Sequence, residues 1–287
     1  MVEDPGRRPP QEQPRPGYTA QMEPHPRDEM ADYEGRGLLA GRRALVTGGD
    51  SGIGRAVAIA FAKEGADVAI AYLEEHDDAR HTADVIEAAG RHVVLFPGDL
   101  ADAEHARETV HRTADELGGL DVLVNNLAYQ KRQPSLEDIT DEQWDRTFRT
   151  NIYSYFWTTK AALQHLPNGG AIINSSSVQG LRGNKSQIDY ASTKGAILAF
   201  TYSLAQSLLD RGIRVNCVAP GPVWTPLIPA SFEEEKTAEF GQQAPMKQAA
   251  HPDDIAPSYV FFASERMSGY YTGEVLAPVG GETMPGA

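Results

Sequence analysis

Tyr190 and Lys194 stand four residues apart, and Ser177 precedes the tyrosine by thirteen. In a predicted helix over residues 189–211, that spacing puts phenol and ammonium on one face. A free tyrosine titrates near ~10 and is almost fully protonated at neutral pH. A neighbouring cation favours the phenolate and draws the group towards a working acid–base range. A phenol so placed can give a proton to a carbonyl oxygen or take one from an alcohol. The other reactive residue types offer nothing comparable. Cys217, the single cysteine, lies in an apolar run and reads as a small core residue; with no second cysteine, internal disulfides are excluded and a reducing cytosol fits. The eight histidines show no metal-ligand spacing, so no metal is expected.

Upstream, the strand-like run Arg43–Thr47 opens into Gly48-Gly49-Asp50-Ser51-Gly52-Ile53-Gly54. Apolar residues then recur at helical spacing from Ala56 to Ala62, Gly65 reads as a left-handed cap, and Val68–Tyr72 reads as a buried strand. This is a βαβ unit. Its glycines let the backbone turn tightly and approach a ligand, and the helix N-terminus offers free N–H groups to a pyrophosphate. The spacing Gly-x-x-x-Gly-x-Gly fits the general dinucleotide fingerprint only loosely.

The alternation continues along the chain. Helices are predicted over 77–89, 102–117, near 141–165, over 189–211 and from Pro252 to Ser264. Strands are predicted over 92–96, 120–124, 171–174, around Cys217 and near 274–278. Strands separated by helices predict one α/β domain over residues 37–287, a Rossmann-type doubly wound parallel sheet of about seven strands with helices on both faces. Such sheets gather ligands at their C-terminal strand ends. Gly48, Asp99, Asn125, Ser177 and Pro220 all fall just past strand ends, which points to one shared site. Residues 1–36 are different material: seven prolines among polar and charged residues, with almost nothing to bury, predict disorder.

The motifs Thr47-Gly48-x-x-x-Gly52-x-Gly54, Asp99-Leu100, Asn125-Asn126, Asn151, Ser177, Tyr190-x-x-x-Lys194 and Pro220-Gly221-Pro222-Val223-x-Thr225 occur in this order. From about Leu39 to the C-terminus, the chain resembles the short-chain dehydrogenases/reductases. Gly48–Arg55, the proline-rich leader and Gly273–Pro278 resemble, more narrowly, a bacterial general-stress or glucose-dehydrogenase-like branch. The resemblance implies that Tyr190 is the acid–base group and that Ser177 hydrogen-bonds the same substrate oxygen. It also implies that Lys194 holds the nicotinamide ribose and that Asn151 helps relay protons to solvent. Alignment on Val178-x-Gly180 selects Ser177 over Ser175 and Ser176. The implied cofactor site takes in Gly48, Asp50, Ser51, Gly52, Ile53 and Gly54 of the turn. Further contributions are implied from Tyr72, Leu73, Asp99, Leu100, Asn125, Pro220, Gly221, Val223 and Thr225, along with Tyr190 and Lys194. The branch further suggests that residues 1–36 form an arm across a neighbouring subunit, in a cytoplasmic homotetramer. One departure from the pattern is Leu127-Ala128, where Ala-Gly is usual.

Protein side chains do not donate hydride, so such chemistry needs a nicotinamide. Glu74 and Glu75 follow the second strand, no Arg or Lys lies nearby in sequence, and Asp50 sits in the turn; like-charge repulsion of a 2′-phosphate leans towards NAD over NADP. Tyr72, however, stands where strict NAD enzymes of the family carry aspartate, so dual use is open. Tyr129, Gln179, Gln187 and Trp224 are candidate substrate-lining residues, and Pro226–Pro245 resembles a mobile lid. A formal charge of −14 argues against nucleic acid and anionic membranes as partners, and no apolar stretch is long enough to span a bilayer. The expected function is NAD(P)-dependent interconversion of a carbonyl and an alcohol on a small molecule, an aldehyde, ketone or sugar. The alternative is a catalytically silent dinucleotide-binding redox sensor or scaffold.

Overall fold

The structure, a computed structural model, describes residues 8–283. Seven strands form one sheet: β1 (Arg43–Thr47), β2 (Asp67–Tyr72), β3 (Val93–Pro97), β4 (Val122–Asn125), β5 (Ala171–Ser175), β6 (Arg214–Val218) and β7 (Val275–Leu276). All pairings are parallel, in the order β3-β2-β1-β4-β5-β6-β7. The order reverses between β1 and β4, and at such a switch point the loops diverge and leave a crevice.

The strands alternate strictly between two cores. Val46, Ile70, Val124 and Ile173 face one side, where α1 (Gly52–Lys63), α2 (His76–Ala88) and α9 (Pro252–Ala263) cover them. Leu45, Ala69, Leu123 and Ile172 face the other, beneath α3 (Ala103–Leu117), α5 (Ser154–Ala162) and α7 (Ile188–Ser207). Each fully buried aliphatic side chain there contributes about 1.5–3 kcal/mol relative to exposure. Helix α1 is buried from Ala56 to Ala62, with alanine at every second position, so it lies close against both sheet and α9.

The helix predicted over 141–165 is three pieces. These are α4 (Asp141–Phe148), a π-helical turn (Arg149–Tyr153) and α5. Two short helices, α6 (Val178–Arg182) and α8 (Glu234–Ala238), lie in segments too brief for periodicity to register, and α10 (Glu265–Ser268) follows α9. No helix among the described residues is long and apolar enough to cross a membrane.

Composition predicted disorder for residues 1–36, and the family branch suggested an arm across a neighbour; residues 1–7 lie outside the described part. Residues 8–36 are ordered against the rest of their own chain. Few side chains anchor them, but each has a made-to-measure place. Met22 packs with Trp224, Ile228 and Ala249, and Met30 joins the main core. The Trp224 indole donates to Pro24 O at 2.8 Å, and the Arg8 guanidinium lies 4.5 Å from the Trp224 ring. Asp28 reaches the buried Arg55 at 3.2 Å, while Arg55 also holds Asp78 of α2 at 2.6 Å. Composition averages over such anchors and therefore misses them.

Burial pushes the Asp28 carboxyl up from 3.8 to about 6, against the pull of Arg55. Asp50, fully enclosed and facing Glu75, is pushed up from 3.8 to about 7. The native protein therefore holds protons that the unfolded chain releases. This contribution to stability is complete below the unfolded value of 3.8 and is lost as pH rises through 6 and then 7. Melting temperature should climb as pH falls from about 8 to about 5; a fall across that window, followed by calorimetry, would contradict the burial of these carboxyls.

Candidate active site

The glycine turn joins β1 to α1 at the switch point. Gly48 and Gly52 have φ of +64° and +53°, and a Cβ on Gly54 would lie 1.7 Å from Gly48 O. Gly54 thus lets α1 pack directly on the turn, while Gly48, Asp50, Ser51, Gly52 and Ile53 line a cleft of about 350 Å³. Tyr72, Leu73, Asp99 and Leu100, from the ends of β2 and β3, form one end of it. Tyr190, Lys194, Pro220 and Thr225 form the other. A second cavity of about 460 Å³ joins it at Tyr190, Ser176 and Pro220, and holds Ser177, Gly221 and Val223.

Ser177 caps α6, its Oγ accepting from Gln179 N–H at 3.2 Å, and it lines the second cavity together with Tyr190. The neighbouring serines are otherwise engaged. Ser175 Oγ lies 2.6 Å from the Tyr259 hydroxyl, and Ser176 Oγ donates to Lys194 O at 2.7 Å. Tyr190 and Lys194 lie on the inner face of α7, with the Lys194 ammonium 5.5 Å from the Tyr190 ring centroid. Gly180 lets α6 lie close against α7: a Cβ there would meet the Lys194 backbone at 2.6 Å.

Burial governs both titrating groups. It pushes Tyr190 up to about 12, with the neighbouring Ser177 hydroxyl opposing, and pulls Lys194 down to about 8. The Lys194 cation is held beside the phenol ring rather than at its hydroxyl. At neutral pH the protein therefore presents a protonated phenol and a mostly charged amine. Lys194 donates to one partner, Ser175 O at 2.8 Å, although an ammonium carries three donors. A buried cation with donors to spare, at the mouth of a glycine turn where backbone lies bare, fits a nicotinamide dinucleotide: the turn would hold the diphosphate and Lys194 a ribose diol.

Two predicted residues stand behind the site rather than in it. Asn125 is wholly buried; it donates to Thr159 Oγ1 and Asn174 Oδ1 and accepts from Thr158, tying β4 to β5 and α5. Its neighbour Asn126 faces the cleft instead, with its amide on Thr47 O and Gly48 O at 3.2 Å. Asn151 sits in the π-helical turn, accepting from Tyr129 N–H at 2.7 Å and donating to Tyr129 O and Thr193. Its carboxamide braces the Tyr129 loop. Trp224, predicted to line the substrate space, is fully buried under residues 8–36. Tyr129 lines the dinucleotide cleft; Gln179 and Gln187 line the second cavity, under Ile228, Phe232 and Phe240 of the predicted lid.

Sequence reasoning missed Asp189. Its carboxylate accepts from the Tyr190 N–H, from Gln143 and from Thr147, fixing the first turn of α7 against α4. An acid in a first helical turn was the available signal. Also missed were Arg15, from the proline-rich segment, and Arg146, both of which line the dinucleotide cleft.

Comparison with known proteins agrees with this geometry. The family model described as enoyl-(acyl carrier protein) reductase matches residues 48–283. The chain belongs to the short-chain dehydrogenase/reductase family of oxidoreductases. It is 51% identical over 267 residues to general stress protein 39 of Bacillus subtilis, covering 93% of each chain. It is 47% identical over 273 residues to the chloroplastic NADPH-dependent aldehyde reductase 1 of Arabidopsis thaliana, covering 93% of this chain and 95% of that one. Identity to glucose and ribitol dehydrogenase of Daucus carota is 45%, over 98% of this chain and 99% of the other. A short-chain dehydrogenase from Burkholderia cenocepacia, solved in complex with NADP, superimposes with a TM-score of 0.79 at 36% identity, covering 85% of this chain and 98% of that one.

Proposed function

We propose that the protein interconverts a carbonyl and an alcohol on a small, oxygen-rich molecule with a nicotinamide dinucleotide as hydride partner. The observation that carries this is the convergence of the Ser177 hydroxyl, the Tyr190 phenol and the Lys194 ammonium where the two cavities meet. When bound, the nicotinamide supplies or accepts the hydride. In reduction Tyr190 gives its proton to the carbonyl oxygen, and Ser177 donates a hydrogen bond to the same oxygen as negative charge grows there. Lys194 holds a ribose and, as a nearby cation, steadies the phenolate left behind. The phenolate regains its proton from solvent. In oxidation each transfer runs backwards.

The second cavity supports a hydroxylated substrate. Gln179 Nε2 donates to Gln187 Oε1 at 3.1 Å, and Gln187 Nε2 to Gln130 Oε1 at 2.9 Å. This amide chain leaves Gln179 Oε1 buried with no partner, an acceptor awaiting a hydroxyl. A screen of aldehydes, ketones, aldoses and polyols, followed by reduced-nicotinamide absorbance, tests the reading. Turnover is expected on hydroxylated carbonyls or polyols, and none across the whole set would contradict it.

NADP(H) is expected to serve at least as well as NAD(H). One acid behind the NAD expectation is only part-charged near neutral pH: Asp50 is pushed up to about 7 by burial, and burial also raises Glu75. The Arabidopsis and Burkholderia relatives are described with NADPH and NADP. Comparing kcat/KM for the two reduced cofactors decides the point; a pronounced NADH preference would restore the expectation drawn from Glu74 and Glu75.

A further inference from the structure

We propose that Arg15, delivered by the proline-rich N-terminal segment, is a diphosphate-binding residue of the dinucleotide cleft; this rests on the dinucleotide reading above. The segment crosses the cleft mouth beside the glycine turn. A Cβ on Gly17 would lie 2.5 Å from Pro226 O, and Pro226 in turn lies beside Gly52, whose own Cβ would fall 3.7 Å from Pro226 Cδ. Arg15 and Pro16 line the cleft with Gly52, Thr225 and Pro226. Arg15 Nη1 donates to the Tyr129 hydroxyl at 2.7 Å, and Nε donates to Ala230 O at 3.1 Å. Its guanidinium lies 4.7 Å from the Tyr129 ring centroid. The side chain therefore bridges the cleft mouth from the lid segment to the opposite rim.

Charge singles it out. Arg15, Arg146 and Lys194 are the cations lining this cleft. Arg146 is paired with Asp99 at 2.5 Å, and Lys194 is sunk at the reactive end against Ser175 O. Arg15 forms no ion pair among the described residues, and both its hydrogen-bond partners are neutral. Glu74 and Glu75 line the same walls, beside Asp99, which Arg146 already pairs, and Asp50, which burial leaves part-charged near neutral pH, in a chain of net charge −14. A diphosphate carrying two negative charges must enter this acidic surface. The N-terminus of α1 offers it only about half a unit charge. A guanidinium with an uncompensated charge and three uncommitted N–H donors supplies the rest.

The test uses full-length protein and displacement of NADPH, read by fluorescence, with ADP and adenosine as competitors at low and high salt. Arg15→Gln should weaken ADP, NADH and NADPH together by about tenfold at low salt, with a smaller effect at high salt. Adenosine, which has no phosphate, should bind unchanged. Arg15→Lys should recover part of the loss. ADP binding unchanged in Arg15→Gln would overturn the proposal. So would an equal loss for adenosine, which would make Arg15 a closure rather than a charge. A loss confined to NADPH would also overturn it by moving the contact to the 2′-phosphate. A wild-type protein that binds neither ADP nor NADPH would remove the dinucleotide reading itself, a result distinct from all of these.

Discussion

Tyr190→Phe lowers kcat by ~10²–10⁴-fold, the range general acid–base groups contribute, while NADPH affinity and melting temperature stay near wild type. The phenol and phenyl rings fill the same space, so the variant removes the hydroxyl and its proton and little else. The wild-type pH profile should carry the same signature. Burial pushes Tyr190 up to about 12, so the phenol is protonated throughout the neutral range. Reduction, which consumes that proton and uses the Lys194 cation, should not rise from about pH 6 to pH 8, whereas oxidation, which needs the phenolate, should rise with pH across it. Stopped-flow rates in both directions separate these. A Tyr190→Phe protein that keeps most of its turnover, or an oxidation rate falling with pH, would remove the phenol from the chemistry. A cellular role surviving the substitution would favour the redox-sensor reading.

Arg55→Met carries the largest expected loss of stability, about 3–5 kcal/mol and a fall on the order of 10 °C in melting temperature. Arg55 is 2% exposed and ties three parts of the chain together: Asp28 of the N-terminal segment, Asp78 of α2, and the glycine turn through Asp50 O at 2.9 Å. Removing the guanidinium leaves Asp28 and Asp78 buried without their cation, beside Asp50 and Glu75, and an unpaired buried charge costs far more than the pair itself contributes. Adding Asp28→Asn and Asp78→Asn should recover much of the loss, because the replacement amides carry no charge to strand. Proteolysis should open residues 19–30 first in the single variant. A melting temperature within about 2 °C of wild type would show the ionic knot to be dispensable.

The sheet was legible because a parallel strand buried on both faces is written as an unbroken apolar run, and each such run lies within a residue or two of its observed strand. The serine, tyrosine and lysine were legible because helix geometry fixes their spacing within one element. What escaped was long-range. Asn125 looks like a cleft residue by its place at a strand end, yet its amide turns into the sheet, where Thr158, Thr159 and Asn174 satisfy it. Trp224 has the size of a substrate wall but is roofed by Pro24, some 200 residues earlier in the chain. Arg15 could not be placed from sequence, because its position depends on Gly17 seating against Pro226. The lean towards NAD counted acids in sequence and could not register that burial pushes Asp50 up to about 7 and raises Glu75.

The most direct measurement is a crystal structure of the complex with NADP⁺. The account predicts the diphosphate at the Gly48–Gly54 turn and the ribose diol on Lys194, with the reactive ring carbon facing the Ser177 hydroxyl and the Tyr190 phenol across a gap wide enough for one carbonyl group. A nicotinamide ring lying away from those two hydroxyls, or a dinucleotide bound elsewhere on the protein, would contradict it.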